Sequence, residues 1–348
     1  MKKTLVLLMF VTTLGMMSCS GNGKPAKANS EPVKANSEPV KANPSDADAA
    51  AVVSLKGCDM AVFDNGKVTF YNSSTDKFVP FTDEKDNVIS GVFSDENEFY
   101  YTVSVNDKLY LKKVDLSADK PAPVQIVDWG LKLNDCVVDS CEKCASMVYY
   151  YIDVPLVGIE YNMGEMCNGF QDEKYYLIEE QTLSNGWPEG VDDGFIMYQD
   201  FINNVHFIAM PIEEGEEEMR YYYCPEDYGM YSEEELPEHL VCISDKINFH
   251  EGKYEGYEGQ PEFTFLALSP ESDCVAYAAI MEWGRGGRGP LCFATLDGKV
   301  QKLLAYDACY GWLNNNKLAF SDEEGIKTIA PDGTITKLCS GSRFVTVN

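Results

Sequence analysis

Two nine-residue phrases near the end of the chain, TLDGKVQKL at 295–303 and APDGTITKL at 330–338, stand 35 positions apart and share one design. Asp-Gly supplies the positive φ of a tight hairpin turn, and the flanking residues alternate, so each copy reads as strand, turn, strand. FDNGKV at 63–68 carries the same kind of turn near the start. A second phrase recurs as GVFSDENEFY at 91–100 and LALSPESDCVAY at 266–277, in the form strand, Ser-Asp or Ser-Pro turn, strand. GWLNNNKLAF at 311–320 is a third, weaker copy. A unit of strand, polar turn, strand, hairpin and strand, repeated about every 35 to 45 residues, cannot bury its faces alone and must stack against the next copy.

The rest of the pattern agrees. KVTFY at 67–71, EFYYTV at 98–103, KLYL at 108–111 and KLAF at 317–320 are short β-branched and aromatic runs bounded by Asp, Asn, Gly and Ser, which is strand punctuation. No window past residue 55 has the spacing of an amphipathic helix. A hydrophobic content of 45% with 12% aromatics is ample for a large core. The expected class is all-β and antiparallel, a β-propeller of six or seven blades over 52–348, with Arg343 to Val347 placed to pair into the first blade. The alternative is a β-sandwich or two smaller β domains. On LSP at 268–270, followed by a turn and VAY at 275–277, the chain resembles the TolB-like and WD-repeat-like propellers, where such a phrase opens a blade. The resemblance covers 52–128 and 262–340. The Gly-His and Trp-Asp signatures of WD repeats are absent, so the TolB-like kind is nearer.

Upstream of this body the composition changes twice. MKKTLVLLMFVTTLGMMSC opens with two lysines and an apolar run over 5–17, too short and wrongly flanked for a transmembrane helix. It resembles a bacterial lipoprotein signal peptide with a relaxed lipobox, Met16 and Met17 standing where a Leu and a small residue are usual. That resemblance implies removal of residues 1–18 and lipidation of Cys19. Residues 19–51 then carry KANSEPV at 27–33 and again at 34–40, with KANPSDA at 41–47. A heptad needs two apolar positions per repeat, and these offer a valine, an alanine and a proline, so the segment reads as an extended tether. The early aspartate of inner-membrane retention is missing after Cys19. The expected location is therefore the cell envelope, anchored by lipid to the outer membrane on the periplasmic face or the cell surface.

The candidate chemistry is sparse. Cys136, Cys141 and Cys144, with Cys167 beyond, have the spacing of a plant-type iron–sulfur run, but VVDS at 137–140 looks like a strand end. Zinc, a disulfide and unpaired structural thiols are the other readings. Eleven cysteines remain after Cys19, an odd number that argues against a full disulfide framework. His206, His239 and His250 are the three histidines, too few for a His-based site. The stretch GRGGRGP at 284–290 lacks the Lys-Ser/Thr of a phosphate loop. A net charge of −28 opposes nucleic-acid binding.

Acidity is concentrated. Between Glu213 and Glu262 lie 16 acidic residues against Arg220, Lys246 and Lys253, with seven tyrosines. Blandly read, this is a solvated insertion that keeps the body soluble. The sharper reading is a partner-binding surface of Tyr221, Tyr222 and Tyr223 with Glu216, Glu217, Glu218, Glu233, Glu234 and Glu235, where tyrosines give contact area and carboxylates select a basic partner. No cofactor is expected; Ca²⁺ is the open alternative, although neither glutamate triplet has EF-hand spacing. The expected function is a membrane-anchored, non-enzymatic binding or assembly platform with an envelope protein partner. The rival is a glycan-binding accessory protein or enzyme using the propeller funnel, with Trp129, Trp187, Trp283 and Trp312 as candidate sugar platforms.

Overall fold

The computed structural model describes residues 54–94, 97–133, 145–150, 155–162, 171–188, 206–211, 219–224, 236–247, 262–280, 288–306, 308–341 and 343–347. The strands are taken by sheet in chain order. The first sheet holds Met60–Asp64 (β1), Lys67–Asn72 (β2) and Lys77–Pro80 (β3). The second holds Asn87–Phe93 (β4), Glu98–Val105 (β5), Lys108–Asp115 (β6) and Val124–Lys132 (β7). Ala145–Tyr150 (β8), Leu156–Asn162 (β9), Gln171–Leu177 (β10) and Thr182–Asn185 (β11) make the third. The fourth has His206–Pro211 (β12), Met219–Cys224 (β13) and Val241–Cys242 (β14), with a single helical turn, Leu236–His239 (α1), before β14. Glu262–Leu268 (β15), Cys274–Ile280 (β16), Arg288–Thr295 (β17) and Gln301–Tyr306 (β18) form the fifth, and Tyr310–Trp312 (β19), Leu318–Asp322 (β20), Gly325–Ile329 (β21) and Ile335–Cys339 (β22) the sixth. The last strand, Arg343–Thr346 (β23), returns to pair antiparallel with β1, opposing Arg343 to Phe63 and Thr346 to Met60.

Each sheet is antiparallel, and apart from β23 at the head of the first its strands run in sequence order; the first and second, second and third, fifth and sixth, and sixth and first sheets pack face to face. Strand β5 shows how. Phe99, Tyr101 and Val103 join the core shared with Phe70 and Phe81 of the first sheet. Tyr100 points the other way, with Leu109, Leu111, Trp129, Val157 and Ile159, into the core shared with the third. Period-two alternation thus feeds two cores at once, so the strand is hydrophobic at almost every position. Cys274, Phe293, Trp312 and Phe320 link the fifth and sixth sheets, and Met60, Val62, Phe344, Leu313 and Ile326 link the sixth to the first. The first-position strands β19, β23, β4 and β8 adjoin one another, while Val124 and Ile335 on fourth-position strands are exposed. This is a β-propeller, and the sandwich alternative falls with it.

The repeats of the sequence occupy fixed places. Its second phrase joins first-position to second-position strands: Ser94 N–H donates to Glu98 O at 2.9 Å, Ser269 N–H to Cys274 O at 2.9 Å and Leu313 N–H to Lys317 O at 2.9 Å. The glycine turns need a correction, because they are of two kinds. Asn65 and Gly66 both have positive φ (48° and 71°), the two-residue hairpin that matches strand twist, and they join β1 to β2. In the Asp-Gly copies only Gly298 and Gly333 are left-handed (73° and 82°), inside wider connections from β17 to β18 and β21 to β22. The aspartate there stays right-handed, and its carboxylate accepts from the backbone two residues on, as Asp297 does from Lys299 N–H at 3.0 Å.

Candidate functional site

The described part of the acidic, tyrosine-rich segment is built into the fourth sheet. Strand β13 lies between β12 and β14, with Tyr222 opposite Cys242 and Tyr223 opposite Val241. Successive residues of a strand face opposite sides, so Tyr222 and Tyr223 are divided between the two faces, and both are half-buried. Burial pushes the Tyr222 phenol up, with Cys242 adding to the shift and the Arg220 hydrogen bond opposing it. Arg220 in turn lies 3.7 Å from Asp245, an exposed pair worth little by itself.

Beyond β14 the chain turns tightly, Lys246 and Ile247 N–H both donating to Ile243 O at 3.1 and 2.9 Å. Ile243 and Ile247 are 1% exposed and pin this turn to the body. Lys246 O abuts Gly298 of the fifth sheet, so closely that a Cβ there would come within 2.3 Å. What remains at the surface is Glu238, His239, Val241 and Asp245, with Arg220 and Lys246 as the cations among them. Val241 is 40% exposed. Glu216, Glu217, Glu218, Glu233, Glu234, Glu235, Cys19 and the side chain of Tyr221 lie outside the described residues. The sequence reading passed over Val241 and Asp245 because they follow the glutamate triplets that drew attention; an apolar residue within an acidic run was their signal.

A second charged group is internal. Lys112 Nζ lies 3.0 Å from Glu84 Oε2 and 2.7 Å from Asp86 Oδ2, and the Tyr101 hydroxyl donates to Glu84 Oε2 at 2.7 Å. Asp86 N–H donates to the other Glu84 oxygen at 2.8 Å. Glu84 is therefore supplied with donors on both oxygens, as a buried carboxylate must be. Lys112 and Lys113 stand between the buried Leu111 and Val114, and charge at such a position was the sequence signal for the cluster. Its polar groups hold the second sheet to the connection from β3 rather than facing a ligand.

Two of the candidate tryptophans are core residues. Trp129 is fully buried, its indole N–H donating to Thr102 Oγ1 at 3.0 Å, and Trp312 is 3% exposed with its N–H on Ala267 O at 3.1 Å. Trp187 is half-buried and meets Tyr175 edge to face at 5.3 Å. Trp283, Cys136, Cys141, Cys144 and Cys167 lie outside the described residues. Cys58, Cys242, Cys274 and Cys339 are free thiols. Burial, then the Asp59 charge, pushes Cys58 up to about 12. Among the described residues no three metal-ligating side chains converge.

No family model matches the chain, and no curated protein does. Among solved structures, TolB from Acinetobacter baumannii is 11% identical with a TM-score of 0.37, over 81% of this chain and 63% of that one. The chain thus spans less than two thirds of TolB. A protein from Lactobacillus plantarum is 8% identical with a TM-score of 0.35, over 83% and 99%. The GH74 xyloglucanase from Xanthomonas campestris is 10% identical with a TM-score of 0.34, over 80% and 52%.

Proposed function

We propose that this chain is a non-enzymatic binding and assembly platform, held at the bacterial cell envelope through a lipid on Cys19 and recognising a basic protein partner. The observation that carries this reading is the fourth sheet. The acidic segment does not hang from the body as a removable loop, because β13, β14 and the turn pinned by Ile243 and Ile247 lie within it. A rigid strand framework holding Glu238, Val241 and Asp245 at the surface loses little entropy on association, which is how interface residues convert contact into affinity. An apolar residue flanked by carboxylates also suits a basic partner with an apolar anchor.

The test is in-cell crosslinking with affinity recovery from the full chain, from a Glu238→Lys/Val241→Asp variant, and from Cys19→Ala. These surface changes leave the sheet intact, whereas deleting the segment would remove two of its strands. A defined partner should be recovered with the full chain, lost with the surface variant, and reduced when the anchor is absent. The same background from all three defeats the platform reading. Trp187 supports a second reading, glycan binding, because it is the described tryptophan that keeps part of its ring at the surface. Saturable polysaccharide binding abolished by Trp187→Ala would favour it.

A further inference from the structure

The sixth sheet meets the first where β1 and β23, the first and last described strands, come together, and one turn makes the polar part of that junction. The connection from β19 to β20 contains Asn314, Asn315 and Asn316 in a row. Asn316 reaches back to the fifth sheet: its Nδ2 donates to Asp273 Oδ1 at 2.9 Å and its Oδ1 accepts from Glu271 N–H at 3.1 Å. Its two neighbours reach forward. Asn314 N–H donates to the Asp59 carboxylate at 2.8 Å, and Asn315 Nδ2 donates to Ser73 O at 3.0 Å. Asp59, at 0% exposure, also accepts from the Ser73 N–H at 2.9 Å and from the Ser73 hydroxyl. Its backbone carbonyl accepts from Val347 N–H at 3.0 Å. One residue therefore joins the start of β1, the end of β23 and the sixth sheet. Residues 54–58, into which the tether leads, run directly into it.

We propose that Asp59 and the asparagine turn form a clasp at the seam of the propeller, and that this seam is where the fold opens first. Three features make it the weak joint. The core between the first and second sheets packs Phe70, Phe81, Phe93, Phe99 and Tyr101 ring against ring, at centroid distances such as 5.1 Å and 5.9 Å. The seam core has Met60, Val62, Tyr71, Leu313, Ala319, Ile326 and Phe344, with less aromatic area to separate. The hydrogen-bond donors to the buried Asp59 carboxylate are all uncharged, so its charge is held by dipoles alone. Asn315 Oδ1 is the one buried side-chain polar atom without a hydrogen-bond partner among the described residues, and such an atom favours a state in which water reaches it. Asp273 occupies the place in the fifth sheet that Asp59 has in the first, directly before the second-position strand. There, however, both strands of the hairpin belong to one continuous piece of chain. At the seam β1 and β23 do not, so the clasp replaces a covalent turn.

Native-state hydrogen exchange on the full chain tests this. In the wild type, amides of β1 and β23 should exchange faster than those of β5, β6, β16 and β17. In Asp59→Ala the seam amides should quicken by about tenfold or more, since hydrogen bonds to a charged group are lost, while β5, β6, β16 and β17 keep their rates. Asp59→Asn, which keeps the shape and one acceptor, should lie between. Asp297→Ala, in an exposed turn, should leave the seam unchanged. Equal acceleration in every sheet, or a seam as slow as β5 and β6 in the wild type, overturns the proposal. If Asp59→Ala does not fold, the wild-type ranking and Asp59→Asn still decide it.

Discussion

Replacing Lys112 by Met should be one of the more damaging single changes outside the aromatic cores. The side chain of Lys112 is 12% exposed and that of Glu84 4%, whereas Asp86 is 36% exposed. Removing the ammonium leaves a carboxylate unpaired in the interior, and breaking a buried pair in this way costs about 3–5 kcal/mol. Asp86 can turn to water, so its share is screened and the lower end applies, about 3 kcal/mol. For a body of about 300 residues that corresponds to a fall of about 5 °C in Tm. Urea unfolding of the full chain, followed by tryptophan fluorescence, would measure it. Because the penalty is that of an unpaired charge, the double change Lys112→Met/Glu84→Gln should recover a good part of it. A cost below about 1 kcal/mol, or a double variant as weak as the single, would show that the cluster is not held by the ion pair and would refute the reasoning.

Two further outcomes follow from buried groups. Stability should decline at alkaline pH. Burial raises Cys58, Cys274, Tyr71 and Tyr101, with Asp59, Asp273, Asp76 and Glu84 respectively adding to it. Burial pulls Lys112 down, but its hydrogen bonds to Asp86 and Glu84 leave it raised. Each group keeps its proton longer in the fold than in the unfolded chain, so its contribution is complete below the unfolded value and lost as pH rises through the folded one. The loss should begin near pH 8.5 for thiols and near 10 for phenols and lysine; urea midpoints that stay level from pH 8 to 11 would contradict it. Trp129→Phe should cost about 2–4 kcal/mol through lost packing and the lost hydrogen bond to Thr102 Oγ1, read as a shift in the urea midpoint with unchanged slope.

How much of this was legible depended on whether a feature was local. The Ser94 and Ser269 turns were readable because one side chain and four or five neighbouring residues determine them. The Asn314 turn is their full equivalent, yet it reads as a weak copy, since its side chains are committed to Asp273 and Ser73, residues 43 and 242 positions away. Asn106 and Asp107 form a left-handed pair, φ 51° and 72°, like Asn65-Gly66, but without glycine they gave no signal. Asp59 shows the same limit: nothing near it in sequence announces a buried carboxylate, because its partners come from β2, from the sixth sheet and from the chain's end. The acidic segment was visible as composition, whereas its division between strand, turn and surface depended on register.

Strand direction bears on the platform reading. The antiparallel order puts every connection from first- to second-position strands, and from third to fourth, at the end of the body where β1 begins. Asp59, Ser73, Asn314 and Asp273 all lie there, as does residue 54, where the described chain starts. Connections from second to third, and from the first sheet to the second, lie at the opposite end. At that end the first, second and sixth sheets use the shortest links, Asn65–Gly66, Asn106–Asp107 and Glu323–Glu324. In the third, fourth and fifth sheets the strands that end there, β9, β13 and β16, are separated from β10, β14 and β17 by longer stretches of sequence. The end where β1 begins is marked by side-chain-locked turns, through Asp59, Ser73, Asn316 and Asp273. Connections as long as 116–123, from β6 to β7, occur there as well, so strand direction alone does not set one end aside for a partner.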